Sequence, residues 1–133
     1  MTGQEIFDGV LAHLRKQAKA SVNDVGECAY RGEGGTACAV GCLIPDELYD
    51  PRIESWRVRS ILNLCTGGVD AGEVEAYREA LSRIASHLGQ ENEALLADLQ
   101  SAHDNQLAEL GLPYWERAME RIAGSHGLVY TPS

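Results

Sequence analysis

Apolar residues return every third or fourth position in five separate stretches of this chain, a period that restricts those stretches to amphipathic helices packed on one another. Ile6, Val10, Leu11, Leu14 and Ala18 make the first stripe. Thr2 and Glu5 stand before it at capping-box spacing, so a helix is expected over about residues 3–20. A second is expected over 55–65, with Trp56, Ile61, Leu62 and Cys65 on its buried side and Thr66-Gly67-Gly68 as its stop. Asp70 with Glu73 repeats the capping pattern ahead of Val74, Tyr77, Leu81, Ile84 and Leu88. Leu95, Leu96, Leu99, His103 and Leu107 give the fourth stripe, and Gly111 and Pro113 separate it from the last, which carries Trp115, Met119 and Ile122.

Between the first two helices the period disappears. The segment Gly26 to Asp50 reads GECAYRGEGGTACAVGCLIPDELYD and holds three of the four cysteines. Residues 28–31 and 36–38 flank Gly32-Glu33-Gly34-Gly35, which predicts one small β-hairpin near residues 27–38 with glycines at positive φ in its turn. In that register Cys28 faces Ala39, or Cys38 if one residue bulges. The run Cys38 to Ile44 reads as a short buried helix whose small residues permit close approach. Pro45 ends it, and Asp46 and Glu47 fall in the first turn of a further helix. The expected fold is mainly α (α+β): one compact domain, 1–133, of five to six helices with a single small β-hairpin.

A chain of 133 residues suits one domain, and a hydrophobic fraction of 44% with 23% charged residues is that of a soluble globular protein. No apolar run is long enough for a bilayer, and the first twenty residues carry too much charge for a secretory signal, so no membrane contact and a cytoplasmic location are expected. A formal net charge of −9 sets most of the surface against phosphate backbones and argues against direct nucleic-acid binding. The charge is uneven: residues 72–110 hold eight acids against Arg78 and Arg83, a net −6.

Cysteines without an export signal are expected as thiols. The hairpin would bring Cys28 near Cys38, and Cys42 lies one helical turn beyond, so zinc is a conceivable occupant with Cys65 or a histidine as fourth ligand. The spacing lacks paired CxxC knuckles and small buried cysteines are ordinary core residues, so packing is preferred and no metal or cofactor is expected. His103 lies on an apolar stripe and should face the core with a hydrogen-bond partner. Asp104 is about 100° further around an α-helix, so it need not touch that ring. His87 complements a helix dipole, and His13 and His126 are expected at the surface. Arg52, Arg57 and Arg59 form a basic patch that, beside an exposed Trp56, suits the rim of a protein contact. The glycine turn lacks the Lys-Ser/Thr of a phosphate loop, so nucleotide binding there is rejected.

CAYRGEGGTACAVGCLIPDELYD, together with ALLADLQSAHDN, Trp115 and the later Arg121-Ile122-Ala123, resembles a family of small proteins encoded by tailed phages and prophages. The resemblance runs from Ile6 to about Ala123. It falls on Cys28, Tyr30, Arg31, Gly35, Cys38, Gly41, Leu43, Ile44, Asp46, Glu47, Tyr49, Gln100, His103 and Asp104, with Cys42 and Cys65 outside it. The family has no settled biochemical activity. What the resemblance implies is a bacterial host cell and a binding role, since phage accessory proteins of this size often block a host factor.

Three functional expectations follow. The leading one is a small acidic phage-type accessory protein, not an enzyme, that binds a host or phage protein and inhibits it, a bacterial defence system being one target, through Trp56, Arg57, Glu91, Glu93 and Asp98. The alternative is an enzyme or zinc protein built on Cys28, Cys38, His103 and Asp104, with Tyr30, Arg31, Asp46 and Glu47 in the same pocket. The third gives these residues a purely structural role.

Overall fold

The computed structural model describes the backbone of residues 1–63 and 71–133, and all side chains there except those of 55 and 71–77. Thr2 Oγ1 accepts the Glu5 amide at 3.1 Å while the Glu5 carboxylate accepts the Thr2 amide at 2.9 Å, starting α1 (Gly3–Gln17) where the capping box requires. The helix stops at Gln17 rather than at residue 20. The Gln17 side chain bonds the carbonyls of Lys19 and Ala37 and accepts the Ala37 amide, which draws the exit of α1 onto the following loop and leaves Ala18 at a left-handed φ of 62°.

The later helices are α2 (Val58–Asn63), α3 (Ala71–Leu88), α4 (Glu93–Ser101), α5 (Ala108–Leu110) and α6 (Leu112–His126). Cys65, the Thr66-Gly67-Gly68 stop and Asp70 lie outside the described residues, as do the side chains of Glu73, Val74 and Tyr77. α4 and α5 belong to one rod whose middle, Ala102–Leu107, is π-helical, with the Ala108 amide bonded to the His103 carbonyl. α1 packs on α4, α6 and the turn at Gly41–Leu43, while α2 packs on α3 and α4. Phe7, Leu14, Ile61, Leu81, Leu96, Leu99, Trp115 and Met119 are fully buried in one cluster. Burying such side chains contributes roughly 1.5–3 kcal/mol each. No described helix is long and apolar enough to cross a membrane.

The expected β-hairpin does not form. Among the described residues there is no strand, only two isolated antiparallel bridges, Val22 with Cys28 and Arg31 with Ala37. The next rung is taken from both sides: the Tyr30 amide goes to the Glu54 carboxylate at 2.8 Å, beside the Arg31 amide at 3.1 Å, and the Cys38 carbonyl that would have accepted it takes the Cys42 amide at 3.0 Å. The Glu33 amide turns to the Val22 carbonyl at 2.7 Å. What survives is the Arg31–Ala37 bridge, with the Gly32 amide on the Thr36 carbonyl at 3.0 Å and the Cys38 amide on the Tyr30 carbonyl at 3.2 Å, around a 3-10 turn over Glu33–Gly35 with Gly34 and Gly35 at φ of 69° and 74°.

The buried run from Cys38 is likewise one turn rather than a helix, with the Cys42 amide on the Cys38 carbonyl at 3.0 Å and a 3-10 turn over Gly41–Leu43. Glycine is required at 41, because a Cβ there would stand 2.0 Å from the Tyr30 carbonyl oxygen. The helix expected after Pro45 also closes after a single turn, in which the Leu48 and Tyr49 amides bond the Pro45 carbonyl.

Candidate functional site

Where residues 28–30, residues 54–59 and the α4 rod converge they leave a half-open cleft of about 590 Å³. Tyr30 and Trp56 are among its lining residues, each nearly buried, and the Tyr30 hydroxyl donates to the Trp56 carbonyl at 2.5 Å. Trp56 is 5% exposed, which corrects its expected place on an open rim. Its neighbours Ile53 and Val58 belong to the core and pull the indole inward. Arg57 alone of that pair is exposed.

Cys28 Sγ, a ring nitrogen of His103 and a carboxylate oxygen of Asp104 lie within 4.8 Å of one another beside this cleft. His103 is fully buried, as its stripe position implied. Its Nδ1 stands 2.8 Å from Asp104 Oδ1, a contact that ordinary α-helical spacing does not require. The π-helical turn explains the contact, since a wider turn sweeps fewer degrees per residue and brings successive side chains together. The Ser21 amide approaches Nε2 at 2.9 Å. A main-chain amide only donates, so Nε2 accepts and the ring proton resides on Nδ1, which donates it to Asp104. Gln100 Nε2 donates to the same Oδ1 at 2.9 Å. The Cys28 thiol is a further donor to this carboxylate, whose side chain is still 40% exposed.

Cys38 does not face Cys28. The observed register pairs Cys28 with Val22, while the Cys38 thiol donates to Gln100 Oε1 at 3.1 Å and receives the Gly41 amide at 3.2 Å. Gln100 Oε1 also accepts the Val40 amide at 3.1 Å, so this one side chain ties the cysteine turn to Asp104. Burial, and after it the Asp104 carboxylate, push the Cys28 thiol up to about 11. Burial pushes Cys38 and Cys42 up to about 12. Shifts in this direction leave little thiolate near neutrality, which disfavours a nucleophilic role.

Zinc does not fit the donor set either. A histidine bound to metal through one nitrogen carries a proton on the other and donates it to an acceptor. Here the nitrogen facing away from Asp104 meets an N–H group, so coordination through Nδ1 would set two donors against each other.

The remaining expected site residues are dispersed. Arg31 points away from Cys28 into a shallower depression of about 410 Å³ that it shares with Asp46, Glu47 and His13. Its guanidinium bonds Asp46 at 2.7 Å and the Ile44 carbonyl at 2.6 Å and lies over the Tyr49 ring. Glu93 contacts Arg59 at 3.7 Å and Asn63 at 3.2 Å, and Asp98 bonds His126 at 2.8 Å, while Glu91 is exposed. His13 and His126 are half-buried rather than free surface groups, and the Nε2 atoms of His13 and His87 bond the Ala37 and Leu43 carbonyls. Glu54, Ser101 and Asn105 line the cleft without having been singled out from sequence. The i, i+4 spacing of Gln100 with Asp104 and of Ser101 with Asn105 was the available signal, and both pairs are bonded. Comparison with protein-family models, with curated proteins and with solved structures gives no match.

Proposed function

We propose that this chain is a small, acidic, non-enzymatic accessory protein of the phage type that binds and inhibits a host protein in the bacterial cytoplasm. The target class is a basic, nucleic-acid-binding surface such as a defence system presents. The observation that favours binding over catalysis is the Ser21 to His103 hydrogen bond, because it occupies the ring lone pair that a general base needs. The thiol beside it is protonated, so the groups suited to chemistry are engaged in holding the fold. The net charge of −9 supports a basic partner, through attraction that speeds encounter and weakens with salt. Glu93 and Asp98 are partly engaged within the chain, so the acidic helices act through their field more than through direct contact. The phage setting rests on the sequence resemblance.

The test is retention of bacterial proteins on the immobilised chain, with and without competing duplex DNA. The expected partner is released by DNA and by salt, and its association with the Glu91→Gln, Glu93→Gln, Asp98→Asn variant is slower with a flatter salt dependence. Retention indifferent to both competitors, or steady turnover of a small substrate by the purified chain, overturns the reading.

A further inference from the structure

The cleft contains four ionisable side chains besides Cys28 and Tyr30, and two of them are already satisfied. Glu54 accepts the Tyr30 and Arg31 amides and the Tyr49 hydroxyl, and Arg59 turns toward Glu93. That leaves Asp104 and Arg57. Asp104 is the prepared one. His103 and Gln100 both donate to Oδ1, which fixes the plane of the carboxylate, and although the Cys28 thiol also bonds it, the side chain is 40% exposed and keeps acceptor capacity on the Oδ2 side. The π-helical turn that places it there is the kind of local distortion that recurs at binding sites. The floor beside it, formed with Tyr30, Trp56, Val58 and Ala97, suits an aliphatic stem.

We infer that the cleft receives one basic side chain of a partner polypeptide, its cationic head donating to Oδ2 of Asp104 and its methylene stem lying along the Tyr30 and Trp56 floor. This deepens the binding function proposed above and rests on it for the nature of the partner. A carboxylate whose other oxygen is committed to two internal donors receives an end-on contact rather than a two-pronged one, so lysine and arginine both qualify. Arg57, exposed on the 54–59 side of the same cleft, opposes the entry of positive charge and so weakens the guest.

The probe is N-acetyl-arginine amide, with the lysine and glutamine analogues beside it, titrated at low ionic strength into the isotopically labelled full chain and followed by amide shifts. Saturable shifts at Asp104, Asn105 and Ala29 are expected with both basic probes and not with glutamine. Asp104→Asn keeps an oxygen for His103 and Gln100 while presenting an NH2 group to the guest, so it weakens binding by about tenfold or more. The unmoved Ser21 amide reports that its fold is intact. Arg57→Ala tightens binding. Absence of saturable shifts, equal affinity in Asp104→Asn, or shifts confined to Glu91, Glu93 and Asp98 overturns the inference. The Glu91→Gln, Asp98→Asn variant, which touches no cleft residue, separates the two claims when the probe is titrated at physiological ionic strength: it slows partner association but changes this probe's affinity less than about twofold, so loss of one effect without the other identifies which claim fails.

Discussion

The main-chain amide of Ser21 donates to Nε2 of His103 at 2.9 Å across 82 residues of sequence, and this one bond sets the tautomer of the imidazole and hence the direction of its proton. Both groups are fully buried. Replacing His103 by Ala would leave the Ser21 amide and Asp104 without their partner and open a cavity, at a cost of about 2–4 kcal/mol. Urea denaturation measures it; an unchanged midpoint would mean that the loop at Ser21 is held by something else.

Cys28 is exposed yet should react slowly. Raising its thiol from 9.0 to about 11 removes about 99% of the thiolate at pH 8, partly offset by the greater intrinsic reactivity of a more basic sulfur, so alkylation falls by about tenfold relative to a free cysteine. Mass-spectrometric rates on the Cys28 peptide, with Asp104→Asn accelerating them, check this.

Metal analysis of protein purified without chelator should find less than one equivalent of zinc. Changing Cys28 to Ser should leave the melting temperature unaltered, whereas a stoichiometric ion whose loss accompanies unfolding would show that the His103 ring adopts the other tautomer.

Gly41→Ala forces a methyl group to within 2.0 Å of the Tyr30 carbonyl, a main-chain atom that cannot swing aside, and should destabilise the fold by about 1–3 kcal/mol. Gly34→Ala meets no neighbour within 4 Å and is disfavoured only by its φ of 69°, about 1 kcal/mol. Thermal unfolding of the pair should therefore rank Gly41→Ala below Gly34→Ala.

Arg15 holds the Glu116 carboxylate below the usual range through a 2.6 Å bond, and Tyr130 adds a second donor at 2.7 Å. A lowered acid stabilises the folded chain above the usual carboxylate range and loses that contribution as pH falls through its folded-state value. Glu116→Gln should accordingly cost about 1 kcal/mol near neutrality and nothing in strong acid. Denaturation midpoints of the two proteins across that range should converge as pH drops.

The helices were legible because each stripe repeats over several turns, and the Thr2–Glu5 box announced the first of them. The segment from Ser21 to Glu54 was not, because the groups that shape it act from far along the chain. Glu54 takes the Tyr30 amide that a local reading assigns to a hairpin, and Gln100 claims the Cys38 thiol. The Asp104 contact with His103 stayed open for a different reason: a π-helical turn leaves no mark on apolar spacing, and the ordinary helical angle neither requires nor forbids it. Trp56 carried two signals: its helical stripe put it on the buried side, as found, while the arginines around it suggested a surface, and Ile53 and Val58 draw it into the core.

Glu54 stands in for an absent strand, and the substitution changes how the chain opens. A strand edge releases its amides singly, by fraying from one end. Tyr30 and Arg31 instead share one carboxylate, so a single rotation of that side chain frees both. Their amide protons should consequently exchange with solvent at a common rate and with a common response to denaturant, making residues 30–31 and the Glu54 turn one breathing unit even though they lie more than twenty positions apart.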